Sequence, residues 1–264
     1  MEYTVITSRS NDRIKQVCRL LRSASARKES RAFVLEGLRL CRDAAENGLV
    51  AEELYLTRRA QEKFPADVQT VADSAKAVYR VEEDVFAKMS ETESSQGFLS
   101  VLSTDTLAPE LPLFSNGRYV ACENVADPSN LGAIARTAEA LGVDGMLLFG
   151  ACCDRFNPKA LRASMGALLR LPMIRYPDGK AGMAALSALG LETYATVVAE
   201  DAEPIHQAGF HPGCVVFIGN EANGLTPEMI DACQRRITIP IAGRSESFNA
   251  AAAAAIVLWE LMKA

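Results

Sequence analysis

The chain has 264 residues, of which 49% are hydrophobic and 23% charged, and its mean hydropathy is close to zero. This balance is typical of a soluble globular protein, and the length suits two modest domains or one large one. The longest apolar run, Ala250 to Trp259, is too short to span a bilayer. The first residues lack the basic start and apolar stretch of a signal peptide. We therefore expect a cytoplasmic protein with no membrane segment.

The ligand residues that a metal site would need are scarce. Seven cysteines stand at irregular spacing without a CxxC pair, and His206 and His211 are the only two histidines. Zinc sites use cysteine and histidine ligands at characteristic short spacings, which this sequence lacks. The sequence predicts reduced cysteines that act as small buried hydrophobic residues, and no metal.

The charge is distributed unevenly along the chain, although the net charge of -5 alone would disfavour a nucleic-acid partner. Residues 1–42 hold ten basic and four acidic residues, whereas the remainder holds 18 basic and 29 acidic ones. A basic segment of this kind is a footprint for phosphate contact, and a merely solvated helix face is the alternative. The candidate contacts to nucleic acid here are Arg9, Arg13, Lys15, Arg19 and Arg22.

The first hundred residues alternate between short helices and strands. Apolar residues at helical spacing predict a helix over 11–21, followed by a strand at 33–35, a helix over 38–47 and a strand at 53–57. This pattern predicts a small α/β domain over residues 1–105. Prolines, Ser115, Asn116 and Gly117 then indicate a linker over 106–117.

A regular alternation of strands and helices fills residues 118–264. It predicts a parallel sheet covered by helices on both faces. The predicted strands are 119–122, 146–149, 173–176, 193–198, 214–218 and 237–239, and the predicted helices are 130–141, 158–169 with Asn157 as its N-cap, 181–189, 227–233 capped by Thr226, and a last one from about Ser247.

Three loops at the carboxyl ends of these strands are rich in glycine and polar residues, and such loops form the ligand site of α/β sheets. They cover 123–132 with Arg136 beyond it, 219–225, and 240–249. No GxGxxG or GxSxG pattern is present, and Leu225 stands where a phosphate-binding loop needs lysine. These absences exclude a dinucleotide fingerprint, a nucleophile elbow and a P-loop.

The three loops resemble the signature motifs of the SpoU (TrmH-type) branch of the SPOUT RNA methyltransferases. The matching residues are Asn124, Asp127, Pro128, Asn130, Gly132 and Arg136 in the first, Gly219, Glu221, Gly224 and Leu225 in the second, and Ile239, Pro240, Gly243, Ser247 and Asn249 in the third. Residues 158–167 resemble a fourth family segment, which adds Lys159 and Arg162 as candidate RNA contacts. Ile241 and Phe248 depart mildly from the family pattern. Residues 1–100 resemble, less specifically, the substrate-binding domain that precedes the catalytic domain in many members.

The resemblance implies a fold, a cofactor and an assembly. The fold would be a parallel-sheet domain whose C-terminal chain forms a trefoil knot, preceded by the smaller α/β domain. The cofactor would be S-adenosylmethionine, and the protein would be a homodimer. The matching cofactor positions are Thr196, Ile218, Gly219, Ile239 and Phe248.

The resemblance also implies catalytic positions, namely Arg136, Asn124, Glu221, Ser247 and Asn249. We expect Arg136 to clamp a phosphate and stabilise developing negative charge, because a guanidinium is hard to deprotonate. Glu221 would either anchor the second loop or pair with Arg136. Ser247 could instead be the N-cap of the last helix, and the two asparagines could orient the hydroxyl or hold loops.

The function implied is methylation of a ribose 2′-hydroxyl in RNA. The separate N-terminal domain favours ribosomal RNA. The alternatives are a transfer-RNA 2′-O-methyltransferase and a non-catalytic RNA-binding or ribosome-assembly factor of the same fold, against which the retained catalytic positions argue.

Overall fold

The computed structural model describes residues 3–92, 95–107 and 112–263. The chain divides into two compact units, one made of Met1–Ala108 and Phe156–Leu169 and the other of Pro109–Arg155 and Arg170–Ala264. Residues 156–169 therefore pack with the first unit, whereas the sequence pattern assigned them to the C-terminal domain. Residues 108–111 of the predicted linker lie outside the described residues.

The first unit contains a mixed five-stranded sheet. Its strands are β1 (Thr4–Ile6), β2 (Ala32–Glu36), β3 (Ala51–Leu56), β4 (Val78–Val81) and β5 (Phe98–Ser103), in the order β1-β4-β3-β5-β2. Strand β5 runs antiparallel to both of its neighbours. Its residues 98–102 are all buried, because helices and loops cover both faces of this strand.

Short helices surround this sheet. They are α1 (Asp12–Arg22), α2 (Ala24–Ser30), α3 (Leu38–Glu46), α4 (Arg58–Lys63), α5 (Pro65–Asp73) and α6 (Glu83–Met89). Asn11 caps α1 by accepting a hydrogen bond from the Arg13 backbone, so the helix begins one residue after the predicted start at residue 11. The buried face of α1 contains Ile14, Val17 and Leu20, which pack in the core with β4 and α6.

The second unit contains a seven-stranded sheet in which every strand pair is parallel, and this confirms the predicted fold class. Its strands are β6 (Arg118–Glu123), β7 (Gly145–Phe149), β8 (Met173–Tyr176), β9 (Glu192–Thr196), β10 (Glu203–Pro204), β11 (Cys214–Ile218) and β12 (Arg235–Thr238). The order is β10-β12-β9-β11-β6-β7-β8. The knot implied by the resemblance stays a prediction, because strand order does not specify how the chain threads.

The remaining helices are α7 (Pro128–Leu141), α8 (Pro158–Ser164), α9 (Ala167–Arg170), α10 (Gly179–Ala188), α11 (Pro227–Ala232) and α12 (Ala250–Lys263). The single helix predicted over 158–169 is wrong. Met165 and Gly166 both adopt positive φ, at 51° and 93°, and this ends α8 and separates it from α9. Among the described residues, no helix is both long and apolar enough to cross a membrane.

The chain runs outward from β6 through β7 to β8 and then returns across the sheet to β9, and β11 lies between β6 and β9. Strand β11 is buried along its whole length, and α12 packs against α7. The carboxyl ends of β6, β9 and β11 therefore lie side by side, where the direction of winding changes. Open α/β sheets bind their ligands at such a position.

Gly142, which ends α7, allows a test of the cost of placing a side chain on a residue with positive φ. Gly142 has φ of 79°, and a Cβ there would meet no atom within 4 Å. We expect Gly142→Ala to lower the free energy of unfolding by about 1–2 kcal/mol through backbone strain alone. Urea denaturation would measure it. The control is Gly179→Ala, at a helical first turn without positive φ, which should leave stability unchanged or slightly raised; equal losses in both variants would refute the explanation.

Candidate active site

A cleft of about 450 Å³ opens in the second unit at the carboxyl ends of β9, β11 and β12. The second and third polar loops form much of its lining. All five residues predicted from the resemblance to bind the cofactor line this cleft, namely Thr196, Ile218, Gly219, Ile239 and Phe248. Residues far apart in the sequence are thus collected around one cavity by the parallel sheet.

The cleft combines an apolar lining with a few polar groups. Ile218 is buried at the end of β11, whereas Phe248 leaves 42% of its surface exposed. The hydroxyl oxygen of Thr196 is buried and has no hydrogen-bond partner among the described residues. A buried hydroxyl without a partner is costly, so this position suits a ligand that supplies one.

The second loop folds back tightly on itself. A Cβ on Gly219 would lie 2.2 Å from the backbone nitrogen of Leu225, so only glycine fits. Asn220 and Gly224 exchange two backbone hydrogen bonds of 2.9 Å. The side-chain oxygen of Asn220 also accepts hydrogen bonds from the backbone amides of Ala222 and Asn223. This turn exposes the backbone of residues 219–225 to the cleft.

Glu123, at the end of β6, attaches the second loop to the sheet. Its carboxylate is buried and accepts hydrogen bonds from the backbone and the hydroxyl of Thr226, at 2.8 and 2.7 Å. Thr226 in turn caps α11, as predicted. Sequence reasoning missed this role of Glu123; the available signal was an acidic residue at the end of an otherwise buried strand.

Asn124 holds loops together at the start of the first motif. Its φ of 54° lies in the left-handed region, where asparagine is tolerated. The side-chain oxygen accepts a hydrogen bond from the Ala151 backbone at 2.8 Å, and the carbonyl accepts one from Asn220 at 2.8 Å. These contacts support the loop-holding alternative for Asn124.

Glu221 anchors the second loop to the first. Its carboxylate accepts hydrogen bonds from the backbone of Ala126 and Asp127, at 3.2 and 3.0 Å, and from the side chain of Asn130 at 3.0 Å. Partial burial would raise the pKa of Glu221, but these hydrogen bonds to the charged form outweigh it and lower the pKa below its ordinary value. Glu221 forms no ion pair with Arg136 in the part of the chain that the structure describes, so its contacts support the loop-anchoring alternative.

The third loop joins this network through Asn249. Its side-chain nitrogen donates to Asn130 at 3.1 Å, and its side-chain oxygen accepts from the first-turn backbone amides of Ala251 and Ala252. Asn249 is therefore the N-cap of α12, and the prediction that Ser247 caps this helix is wrong. Asn130, a residue of the first motif, lies inside α7 and connects all three loops, and Asp127 is the N-cap of α7.

Two predicted catalytic residues, Arg136 and Ser247, are exposed and make no side-chain hydrogen bond or ion pair with a described residue. Arg136 lies on α7, six positions beyond Asn130, and forms no ion pair with any residue that the structure describes. Ser247 is exposed at the edge of the cleft, and its hydroxyl makes no hydrogen bond within the described part of the chain. Both side chains are thus accessible to a bound molecule.

The basic residues predicted to contact RNA are mostly ion-paired within the first unit. Arg9 pairs with Asp84, Arg13 with Glu53, Lys15 with Asp12, Arg19 with Glu29, and Arg162 with Glu36 and Glu91. Arg22 and Lys159 are exposed. The excess of positive charge in residues 1–42 is therefore partly neutralised by acidic residues from later in the chain.

All seven cysteines are free thiols, and five are buried, in agreement with the sequence prediction. Burial raises the pKa of Cys153 to about 12 and that of Cys214 to about 11, which disfavours the reactive thiolate. Within the described ranges no group of three or more His, Cys, Asp or Glu side chains could hold a metal ion.

Comparison with known protein families places the two units. Residues 117–259 match the SpoU rRNA Methylase family, and residues 11–100 match the MRM3-like substrate binding domain. The chain belongs to the SpoU rRNA methylase family.

Individual relatives are similar over nearly the whole chain. The chain is 28% identical to the 23S rRNA (guanosine(2553)-2′-O)-methyltransferase of Bacillus subtilis, over 97% of this chain and 98% of the relative. It is 30% identical to the 23S rRNA (uridine(2479)-2′-O)-methyltransferase of Streptomyces viridochromogenes, over 98% and 91%. The crystal structure of an AdoMet-bound rRNA methyltransferase from Sinorhizobium meliloti superimposes with a TM-score of 0.86 at 28% identity and covers 99% and 98% of the two chains.

The hydrogen bonds of Glu221 generate a pH prediction. A carboxylate whose folded pKa is lowered contributes stability above its unfolded pKa, ordinarily about 4.5, and that contribution is lost as pH falls through the folded pKa. We expect Glu221→Gln to lower the free energy of unfolding at pH 7 and to reduce the loss of stability between pH 5 and about 3. Urea denaturation across this range measures both effects.

The control for this experiment is Glu200→Gln, which changes an exposed carboxylate that makes no hydrogen bond with a described residue. It should leave the stability at pH 7 within about 0.5 kcal/mol of the unmodified protein. A Glu221 variant whose stability follows that of the unmodified protein at every pH would show that the carboxylate does not hold the loops.

Proposed function

We propose that the protein transfers a methyl group from S-adenosylmethionine to a ribose 2′-hydroxyl of ribosomal RNA. The observation that carries this proposal is the cleft in which all five predicted cofactor positions meet, bordered by loops tied together through Glu221, Asn130 and Asn249. The similarity to two 23S rRNA 2′-O-methyltransferases over nearly the whole chain supports it.

The cleft fits the chemical groups of this cofactor. The unpartnered hydroxyl of Thr196 suits a polar group of the ligand, and the backbone of the Gly219–Leu225 turn suits hydrogen bonding to a purine or a carboxylate. Ile218 and Ile239 supply apolar contact. When bound, S-adenosylmethionine supplies a methyl group on a sulfonium, which is electrophilic and needs no metal.

The side chains around the cleft have two different roles in the proposed reaction. Glu221, Asn130 and Asn249 use their polar atoms to hold the loops, so they act as positioning residues. The Arg136 guanidinium can donate two parallel hydrogen bonds to an RNA phosphate. It would thereby orient the ribose and stabilise negative charge on its oxygen. We infer that the exposed hydroxyl of Ser247, which lines the cleft, hydrogen-bonds the nucleotide.

Ribosomal RNA is the substrate class that the observations favour over transfer RNA. The first unit matches an MRM3-like substrate binding domain, and the two relatives named above act on 23S rRNA. We infer that residues 1–105 bind the RNA and that residues 118–264 carry out the transfer, in the cytoplasm where bacterial rRNA is located.

Transfer of labelled methyl from S-adenosylmethionine to purified rRNA and tRNA, followed by mapping of 2′-O-methyl groups, tests the proposal. Arg136→Ala should lower the rate of transfer by at least about a hundredfold while cofactor affinity, measured by calorimetry, stays within about twofold. Arg136→Lys should recover only part of the rate, because it keeps the charge and loses the planar fork.

The matched control is Lys180→Ala, which removes an exposed cation on α10 of the same unit and should leave transfer unchanged. Methyl transfer to neither RNA together with no cofactor binding would overturn the enzymatic proposal. Near-normal transfer by Arg136→Ala would overturn only the assignment of this residue.

We also propose that the protein is a homodimer, joined through the exposed part of the second unit near α12. Trp259 on this helix leaves 59% of its surface exposed, and Val198 leaves 69%. Large exposed apolar side chains are typical of protein interfaces, and tryptophan is enriched among the residues that contribute most to binding.

Light scattering after size-exclusion chromatography measures the mass in solution. The unmodified chain should have twice the monomer mass, and Trp259→Glu should be monomeric at low micromolar concentration. Leu189→Glu, a less exposed apolar position on the same unit, serves as the control and should stay dimeric. A monomeric unmodified chain would overturn the proposal.

A further inference from the structure

The first unit has a cleft of its own, of about 630 Å³, which none of the predicted RNA-contact residues lines. It is bordered by α4, by α6 and by residues 95–97 that precede β5. A cavity of this size falls in the range that holds a nucleotide-sized ligand. All of its lining residues belong to the first unit, so the cleft is complete within that unit.

Two cations lie on the same side of this cleft. Arg59 and Lys63 are four residues apart on α4, which places them one helical turn from each other. The Arg59 guanidinium donates to the carbonyl of Ser95 at 3.0 Å and lies 3.8 Å from a carboxylate oxygen of Glu83. Lys63 forms no ion pair with any described residue, so its charge is available to an anion without a competing carboxylate.

An aromatic ring accompanies the free cation. The Lys63 ammonium lies 5.3 Å from the centre of the Phe64 ring, and both residues line the cleft. The side-chain oxygen of Gln96 accepts a hydrogen bond from the backbone of Leu38 at 3.0 Å, which leaves its two amide N–H groups as donors. Cations, an aromatic ring and amide donors together are the groups that bind unpaired nucleotides of RNA.

Another part of the cleft wall, formed by Ser90 and Thr92, is held in place by a buried acid. The carboxylate of Glu36, only 3% exposed, accepts hydrogen bonds from the hydroxyls of Ser90 and Thr92 and from the backbone of Glu91. Arg162 of α8 pairs with the same carboxylate at 3.5 Å. Ser90 and Thr92 line the cleft, so this wall is formed before any ligand binds, which lowers the entropic cost of binding.

We propose that this cleft binds an unpaired nucleotide of the RNA substrate, with a phosphate against Lys63 and Arg59 and the base against Phe64. The proposal rests on the function proposed above, because it names where the RNA-binding unit contacts its substrate. It differs from the basic segment 1–42, where Arg9, Arg13, Lys15 and Arg19 must each give up an ion pair before they contact a phosphate.

Fluorescence anisotropy with a short labelled single-stranded RNA and the full-length protein tests the site directly. Lys63→Ala should weaken binding several-fold and lower the slope of log K against log salt by about 0.7, the value for one phosphate contact on a single strand. Glu83→Gln should have the opposite effect and tighten binding, because it removes a carboxylate that competes for Arg59 and repels phosphate.

The control is Lys76→Ala, which removes an exposed cation of the same unit that pairs with Glu52 and lies outside both the cleft and residues 1–42. It should bind as the unmodified protein does. Unchanged binding in both the Lys63 and Glu83 variants, an equal loss in the Lys76 variant, or the same dependence on Lys63 with a duplex of the same sequence would overturn the proposal.

Methyl transfer by the unmodified protein separates this inference from the proposed function. If transfer occurs and Lys63→Ala raises the KM for RNA while kcat and cofactor affinity stay unchanged, both proposals are supported. If transfer fails while single-stranded RNA still binds through Lys63, the cleft is supported and the enzymatic function is overturned. If transfer proceeds with an unchanged KM in Lys63→Ala, the inference about the cleft is overturned.

Discussion

The carboxylate of Glu221 holds together parts of the chain that are almost a hundred residues apart. It accepts two backbone hydrogen bonds from the loop after β6 and one from the side chain of Asn130 on α7, and Asn130 in turn accepts one from Asn249. Hydrogen bonds to a charged acceptor are stronger than neutral ones. Removing the charge would therefore loosen all three loops that border the cleft at once.

The motif residues differ in how their side chains are used. Four of them form hydrogen bonds that hold the loops, namely Asn124, Asn130, Asn249 and Glu221. Arg136 is exposed and forms no ion pair with a described residue. A residue that must clamp a phosphate has to keep its donors free, whereas a residue that fixes a loop has to use them. The hydrogen bonds thus distinguish two roles that sequence similarity alone cannot.

The sequence predicted the parallel sheet of the second unit and the positions of the three loops, because strand and helix periodicity and the caps Asn157 and Thr226 are local signals. The sequence-based prediction was wrong where contacts between distant residues determine the structure. The break between α8 and α9 rests on positive φ at Met165 and Gly166. A positive φ is rare for methionine, and a single glycine inside a helical pattern is often tolerated, so the sequence did not indicate the break. The packing of residues 156–169 with the first unit, and the choice of Asn249 over Ser247 as a cap, likewise depend on partners distant in the sequence.

Contacts between residues distant in the sequence also limit what a count of charges can predict about RNA binding. Ten basic residues in the first 42 suggest a phosphate-binding surface, but several of them pair with carboxylates contributed by β3, α6 and the turn after β5. Exposed ion pairs are weak, typically below about 1 kcal/mol, so an RNA phosphate can replace the carboxylate in such a pair. The free energy gained from the phosphate contact is then reduced by the energy of the ion pair that is lost. A cation without an ion-pair partner has no such loss when it contacts a phosphate. We therefore expect the affinity of the first unit for RNA to depend less on the number of its basic residues than on which of them the fold leaves unpaired beside an aromatic ring.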